Sequence, residues 1–197
     1  MFVKDRGLTS AGQATAVETT TNTVTVTEYA VATFQPTPFA NGYFQAGSIF
    51  PWTITGNEGP AAAAGGIQLL KKQGVCTPNG ICTESDLLRL TPPPLGYISI
   101  LQTFDALPST TYRVGLDMNA PSNIVPNTIS IQAKYNQALI ATHVIVSPNT
   151  TPYYPVFMGE FTTDSSGRVT LEIRVVRGVS SAGGFIYLDN VVVFKKL

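Results

Sequence analysis

The chain has 197 residues, and its twelve basic and twelve acidic side chains cancel. Charged residues make up 12% and hydrophobic residues 44% of it, against about 25% charged in an ordinary soluble domain, so one sizeable core is affordable without a charged surface. A neutral chain lacking a basic run does not attract phosphate backbones or anionic lipid, and no apolar run approaches the roughly 18 residues of a spanning helix; nucleic acid and membrane insertion are excluded as expected partners.

Residues 1–36 stand apart in composition. Lys4, Asp5 and Arg6 have no apolar stretch behind them, which is not a secretory leader. An extracellular domain with this start would be a processed form or a piece of a longer chain, whose other domains are then expected partners. Thr dominates residues 15–29, as in a linker or an O-glycosylated stalk. Val24 and Val26 alternate with Thr, which equally suits an added edge strand. Both readings stand, and the folded domain is expected over residues 37–197.

Cys76 and Cys82 flank Thr77-Pro78-Asn79-Gly80. Pro-Asn-Gly is turn chemistry that brings its flanks together. In a low-charge, Thr-rich chain this predicts a disulfide, the alternative being two buried thiols. A single His, at 143, leaves no zinc set. Thr83 to Leu87 carries a weak capping box that predicts one short helical turn.

Beyond this the chain reads as short strands. Gly96 to Phe104 follows Pro92-Pro93-Pro94, which no helix tolerates. Tyr112, Val114, Leu116 and Met118 alternate with polar residues, as do Ile129, Ile131 and Ala133, and Val169, Leu171, Ile173 and Val175. Each is a half-buried strand with one apolar face. Residues 138–146 and 154–161 fill the interval. Residues 185–194 are apolar on both parities, predicting a central strand covered on both faces. Gly, Ser, Asn and Pro clusters separate the runs. Eight to eleven strands so spaced predict an all-β fold, a two-sheet antiparallel β-sandwich of the jelly-roll kind.

Asn41-Gly42-Tyr43-Phe44-Gln45-Ala46-Gly47, followed by Pro51-Trp52-Thr53, resembles the opening of carbohydrate-binding modules with the galactose-binding-domain-like jelly roll. Leu101 to Phe104, Thr110 to Val114, Gly167 to Arg174 and Ile186 to Val191 resemble later strands of that family, so the likeness spans residues 38–195 in order. The Thr-rich lead resembles stalks of fungal secreted proteins. The resemblance implies an extracellular or cell-surface, non-catalytic module that attaches a secreted protein to cell-wall polysaccharide. A structural or adhesive surface domain that has lost sugar binding is the alternative. No cofactor is required. The family's opening Glu and late Asp help hold a structural Ca²⁺, and the matching positions are Gln45 and Asp189. Gln45 lacks the charge that calcium prefers.

Sugars are held by flat aromatic faces and by polar groups that bond hydroxyls. Tyr153 and Tyr154, between Pro152 and Pro155, are loop candidates; Tyr97 and Tyr135 are the next. Arg113, Asp117, Gln132, Lys134, Glu172 and Arg174 line polar strand faces and form a groove floor if they share a concave sheet; of these, Arg113 and Gln132 are the expected ligand contacts. A plain solvated face is the other reading. A lone Trp52 is expected in the core. Asn149-Thr150-Thr151 is an N-glycosylation sequon. No nucleophile–base motif is present, and His143 reads as a strand-face residue.

Overall fold

Side chains of a strand point alternately to opposite faces, so residues with apolar groups at every second position bury one face by pairing as strands. The computed structural model describes residues 39–57, 65–76, 82–120, 124, 127–146, 154–178 and 184–197, with the backbone alone for 72–76, 82–85 and 154. They belong to one unit spanning 34–197. The expectations for residues 1–36, Asn149 and Tyr153 fall outside the described residues.

Ten strands form: β1 (Thr53–Gly56), β2 (Ile67–Cys76), β3 (Cys82–Leu90), β4 (Tyr97–Asp105), β5 (Thr111–Asn119), β6 (Ile129–Tyr135), β7 (Ala138–Val144), β8 (Tyr154–Thr162), β9 (Arg168–Arg177) and β10 (Ile186–Lys195). They make two five-stranded antiparallel sheets, β1-β4-β9-β6-β7 (sheet I) and β2-β3-β10-β5-β8 (sheet II). The predicted jelly-roll sandwich is the observed fold. No helix among the described residues is long and apolar enough to cross a membrane.

One apolar cluster joins the sheets. Ile98, Ile100, Ile131, Leu171 and Ile173 come from sheet I; Leu88, Leu90, Val114, Met118 and Leu188 come from sheet II. Trp52 is buried as expected, with its ring edge-on to Phe39 at 5.3 Å and its indole N–H donating to the Asn41 carbonyl.

Two local readings change. The capping-box stretch lies within β3, because its backbone pairs with β2 at Ser85↔Gln73 and Glu84↔Gly74. The doubly apolar run is one bulged strand. Ile186 and Leu188 point inward, the register slips between Asp189 and Val192, and Val191 then takes the inward side. Asn190 sits in the bulge at φ 52°. A parity reversal by a bulge, and not cover on both faces, explains the apolar pattern.

The registers give the sandwich two poles. Tyr97 pairs with Val176, and Asp105 with Arg168. The strand ends flanking the β1–β2, β3–β4, β5–β6, β7–β8 and β9–β10 connections gather at the Tyr97 pole. Those flanking β4–β5, β6–β7 and β8–β9 gather at the Asp105 pole.

Candidate functional site

The β3–β4 connection builds one wall of a cavity at the Tyr97 pole. Pro92, Pro93 and Pro94 fix its backbone, and the Gly96 N–H donates to Pro93 O. Gly96 is required there, since a Cβ would lie 2.5 Å from Asn57 Oδ1 and 2.8 Å from Pro93 Cγ. Asn57 Oδ1 accepts the Tyr97 N–H at 2.8 Å, and Gly96 O accepts the Arg177 N–H at 2.8 Å. The end of β1, the start of β4 and the end of β9 are thereby locked together.

The cavity has a volume of about 440 Å³ and is lined by Tyr97, the three prolines, Gln68, Thr91, Arg89 and Arg177, with glycines of the β1–β2 connection. That size falls within the roughly 300–1,000 Å³ of ligand sites. Apolar surface comes from the prolines and the tyrosine ring; hydrogen-bonding groups come from the remaining side chains. Arg89 Nη1 donates to Gln68 Oε1 at 3.2 Å, and its guanidinium lies 3.9 Å above the Phe185 ring. Arg177 is 4% exposed, and its Nη1 reaches Pro92 O at 3.4 Å. No carboxylate, imidazole or thiol is among the described lining residues.

Beside the cavity, the outer face of sheet I carries an unbroken polar row across all five strands: Thr55, Ser99, Arg174, Gln132 and Thr142. Ser99 Oγ donates to Glu172 Oε1 at 2.6 Å, and Arg174 Nε donates to the same oxygen at 2.7 Å. The Arg174 guanidinium sits 4.0 Å from the Tyr97 ring centre and covers one of its faces. This network holds the ring at the cavity mouth.

Of the predicted ligand residues, Tyr97 lies under the Arg174 guanidinium and Gln132 stands opposite Arg174 in the register. Tyr135 does not join them. Its ring stacks on Phe161 at 4.7 Å and its hydroxyl accepts the Asp164 N–H. Arg113 lies on the outer face of sheet II, paired with Glu160 at 2.8 Å. The predicted groove floor therefore divides: Gln132, Lys134, Glu172 and Arg174 belong to sheet I, Arg113 and Asp117 to sheet II. Tyr154 opens β8 opposite Met118, so the strand ends flanking the Tyr153 and Asn149 connection lie at the cavity's pole. His143 is half-buried on β7 opposite Ile131.

Gln45 and Asp189, the positions matched to the family's calcium ligands, sit in different surroundings. Gln45 is exposed on a turn, while Asp189 is buried and its Oδ1 accepts the Asn190 N–H at 2.7 Å. Calcium takes roughly six to eight oxygens, several of them carboxylate, and among the described residues no three acidic, His or Cys side chains group there.

No family model and no curated protein matches the sequence. Solved structures do match in fold. TmCBM61, a carbohydrate-binding module crystallised with β-1,4-galactotriose, aligns with a TM-score of 0.52 at 16% identity over 80% of this chain and 97% of its own. The fold is similar to that of a carbohydrate-binding module. Part of an arabinose-bound α-L-arabinofuranosidase, MgGH51, aligns at 0.54 and 13% identity over 80% of this chain and 26% of that enzyme. Part of the tailspike protein 4 enzymatically active domain of bacteriophage CBA120 aligns at 0.50 and 18% identity, over 80% of this chain and 21% of that domain. At these identities the likeness concerns the fold.

Arg89 and Arg177 escaped the sequence reading. Neither lies in a motif. Arg177 nevertheless shares the parity of the inward residues Val169, Leu171, Ile173 and Val175. A charge on the core-facing parity is the signal by which it could have been found.

Proposed function

We propose that this domain is a non-catalytic glycan-binding module that takes its ligand in the cavity at the Tyr97 pole. The observation that carries this is the pairing, in one cavity, of a tyrosine ring and proline surface with a set of hydrogen-bonding side chains. Pyranose rings present flat C–H faces to aromatics and hydroxyl edges to amide, hydroxyl and guanidinium groups. No acid–base pair for glycoside cleavage is among the described lining residues, which favours binding over hydrolysis.

Attachment of a secreted, fungal-type protein to cell-wall polysaccharide is the setting that the sequence resemblance supplies. The register adds support for an oxidising compartment: Cys76 and Cys82 stand directly opposite each other across the β2–β3 hairpin, at the spacing of facing strand residues, about 4.5–5.5 Å between Cα atoms, which a disulfide spans.

Affinity electrophoresis through gels of soluble β-glucan, xylan, mannan, galactan and polygalacturonate tests the function. At least one polymer should retard the protein, and Tyr97→Ala should weaken retention about tenfold, the worth of one stacking contact of about 1.4 kcal/mol. Uniform failure to retard would sink the proposal. A second, adhesive reading rests on a different surface: Phe157, opposite Gly115, and Phe194, opposite Arg113, are 62% and 46% exposed on the outer face of sheet II. Loss of function in Phe157→Ala with Tyr97→Ala unaffected would favour it.

A further inference from the structure

The cavity is charged in one sense only. Two guanidinium groups line it, and no Asp or Glu is among its described lining residues, in a chain whose net charge is zero. Arg177 is 4% exposed and takes part in no ion pair with a described residue. Among the described residues its side chain makes one hydrogen bond, from Nη1 to Pro92 O at a long 3.4 Å, while Nη2 is buried without an acceptor. Arg89 Nε is likewise buried without an acceptor. Guanidinium cannot shed its proton at any ordinary pH, so burial is not relieved by neutralisation. Buried charges are otherwise found paired. Both unsatisfied nitrogens belong to side chains of the same cavity.

We infer that this cavity receives a carboxylate, and that the glycan recognised there is an acidic one in which a uronate carboxyl group sits against Arg177 and Arg89. This rests on the glycan-binding reading above and names its substrate class. A planar carboxylate matches the fork of a guanidinium through two parallel N–H···O bonds, and in this cavity would bring the countercharge that the described lining lacks. The sugar ring that carries it would meet the apolar side of the cavity, made by Tyr97 and Pro92 to Pro94. Neutral sugars offer hydroxyl acceptors but no countercharge, so they leave the buried cation uncompensated.

Isothermal titration with oligogalacturonate, neutral galacto-oligosaccharide and a sulfated galactan oligomer, at physiological ionic strength, tests the inference. Oligogalacturonate should bind at least tenfold more tightly than the neutral oligomer. Arg177→Met should lose that preference by tenfold or more while melting at or above the temperature of the native chain, since it removes an unpaired buried charge. Arg89→Gln, at a half-exposed position, should weaken uronate binding with folding unchanged. Arg168→Gln, at the opposite end of β9, should bind as the native chain does; a loss there would mean diffuse attraction and overturn the assignment. Equal or tighter binding of the sulfated oligomer overturns the carboxylate. Binding of the neutral oligomer without a uronate preference overturns the inference and leaves the glycan-binding function standing. Failure of all three ligands overturns the inference, while the glycan-binding reading is decided by the polymer panel above.

Discussion

Gln102 and Arg177 are polar side chains at core-facing positions of their strands. Gln102 shares β4's inward parity with Ile98, Ile100 and Phe104 and is 3% exposed. Its amide imitates a strand partner: Oε1 accepts the Ala40 N–H at 3.0 Å and Nε2 donates to Ala40 O at 2.8 Å. Gln102→Leu leaves both groups of Ala40 without partners and should cost about 2 kcal/mol. Melting should fall by roughly 4–8 °C, followed by circular dichroism; a fall under about 1 °C would mean that residues 39–41 are held by other contacts. Arg177 is the second such residue. Both were legible as breaks in an alternating pattern. Neither was legible as a partner, because an inward-pointing polar group does not say from sequence what it meets.

At the level of the element, alternation forecast the strands well where one face is apolar: β5, β6 and β9 lie where the pattern put them. It misled where backbone geometry overrides it. The β10 bulge turned a single-faced strand into a sequence with two apolar parities, and β3 took residues with helix-start chemistry because β2 and β10 pair with it on either side. The proposed Cys76–Cys82 bond would close this hairpin. For a loop this short, loss of the bond should cost about 2 kcal/mol. Peptide mapping without reductant should recover the two cysteines in one linked fragment, and Cys76→Ser with Cys82→Ser should lower the melting temperature; two freely alkylated thiols would refute the bond.

For the whole molecule, face parity was readable from the sequence but sheet membership was not. Arg113 and Gln132 both alternate outward, yet they lie on opposite faces of the sandwich, since pairing order is set by long-range contacts that no local pattern encodes. On sheet II, Glu160 receives Lys196 Nζ at 2.7 Å and Arg113 Nε at 2.8 Å, joining β8, β5 and the segment after β10. The Lys196 hydrogen bond, then that of Arg113, holds its carboxyl below the ordinary 4.5. Asp164, bonded by Ser166, lies below its ordinary 3.8. Both groups bind a proton more weakly folded than unfolded. Their stabilisation is therefore complete above the ordinary values and disappears as pH falls through the lowered ones. Melting temperature should be level from about pH 7 to 5.5 and decline below about 4.5, with a shallower decline in Glu160→Gln. An unchanged acid limb in that variant would place the sensitivity elsewhere.

The poles also give the domain a direction. Phe39 lies against Phe104, and the Lys196 N–H is bonded to Thr111 O, so the described chain enters and leaves on the Asp105 side. The cavity lies at the other end of β4 and β9, a strand's length of roughly 30 Å away. A fluorophore or bead linked after Leu197 would thus stand behind the molecule, with the cavity facing forward. Immobilised by that tail on a sensor surface, every copy would present its cavity to the solution.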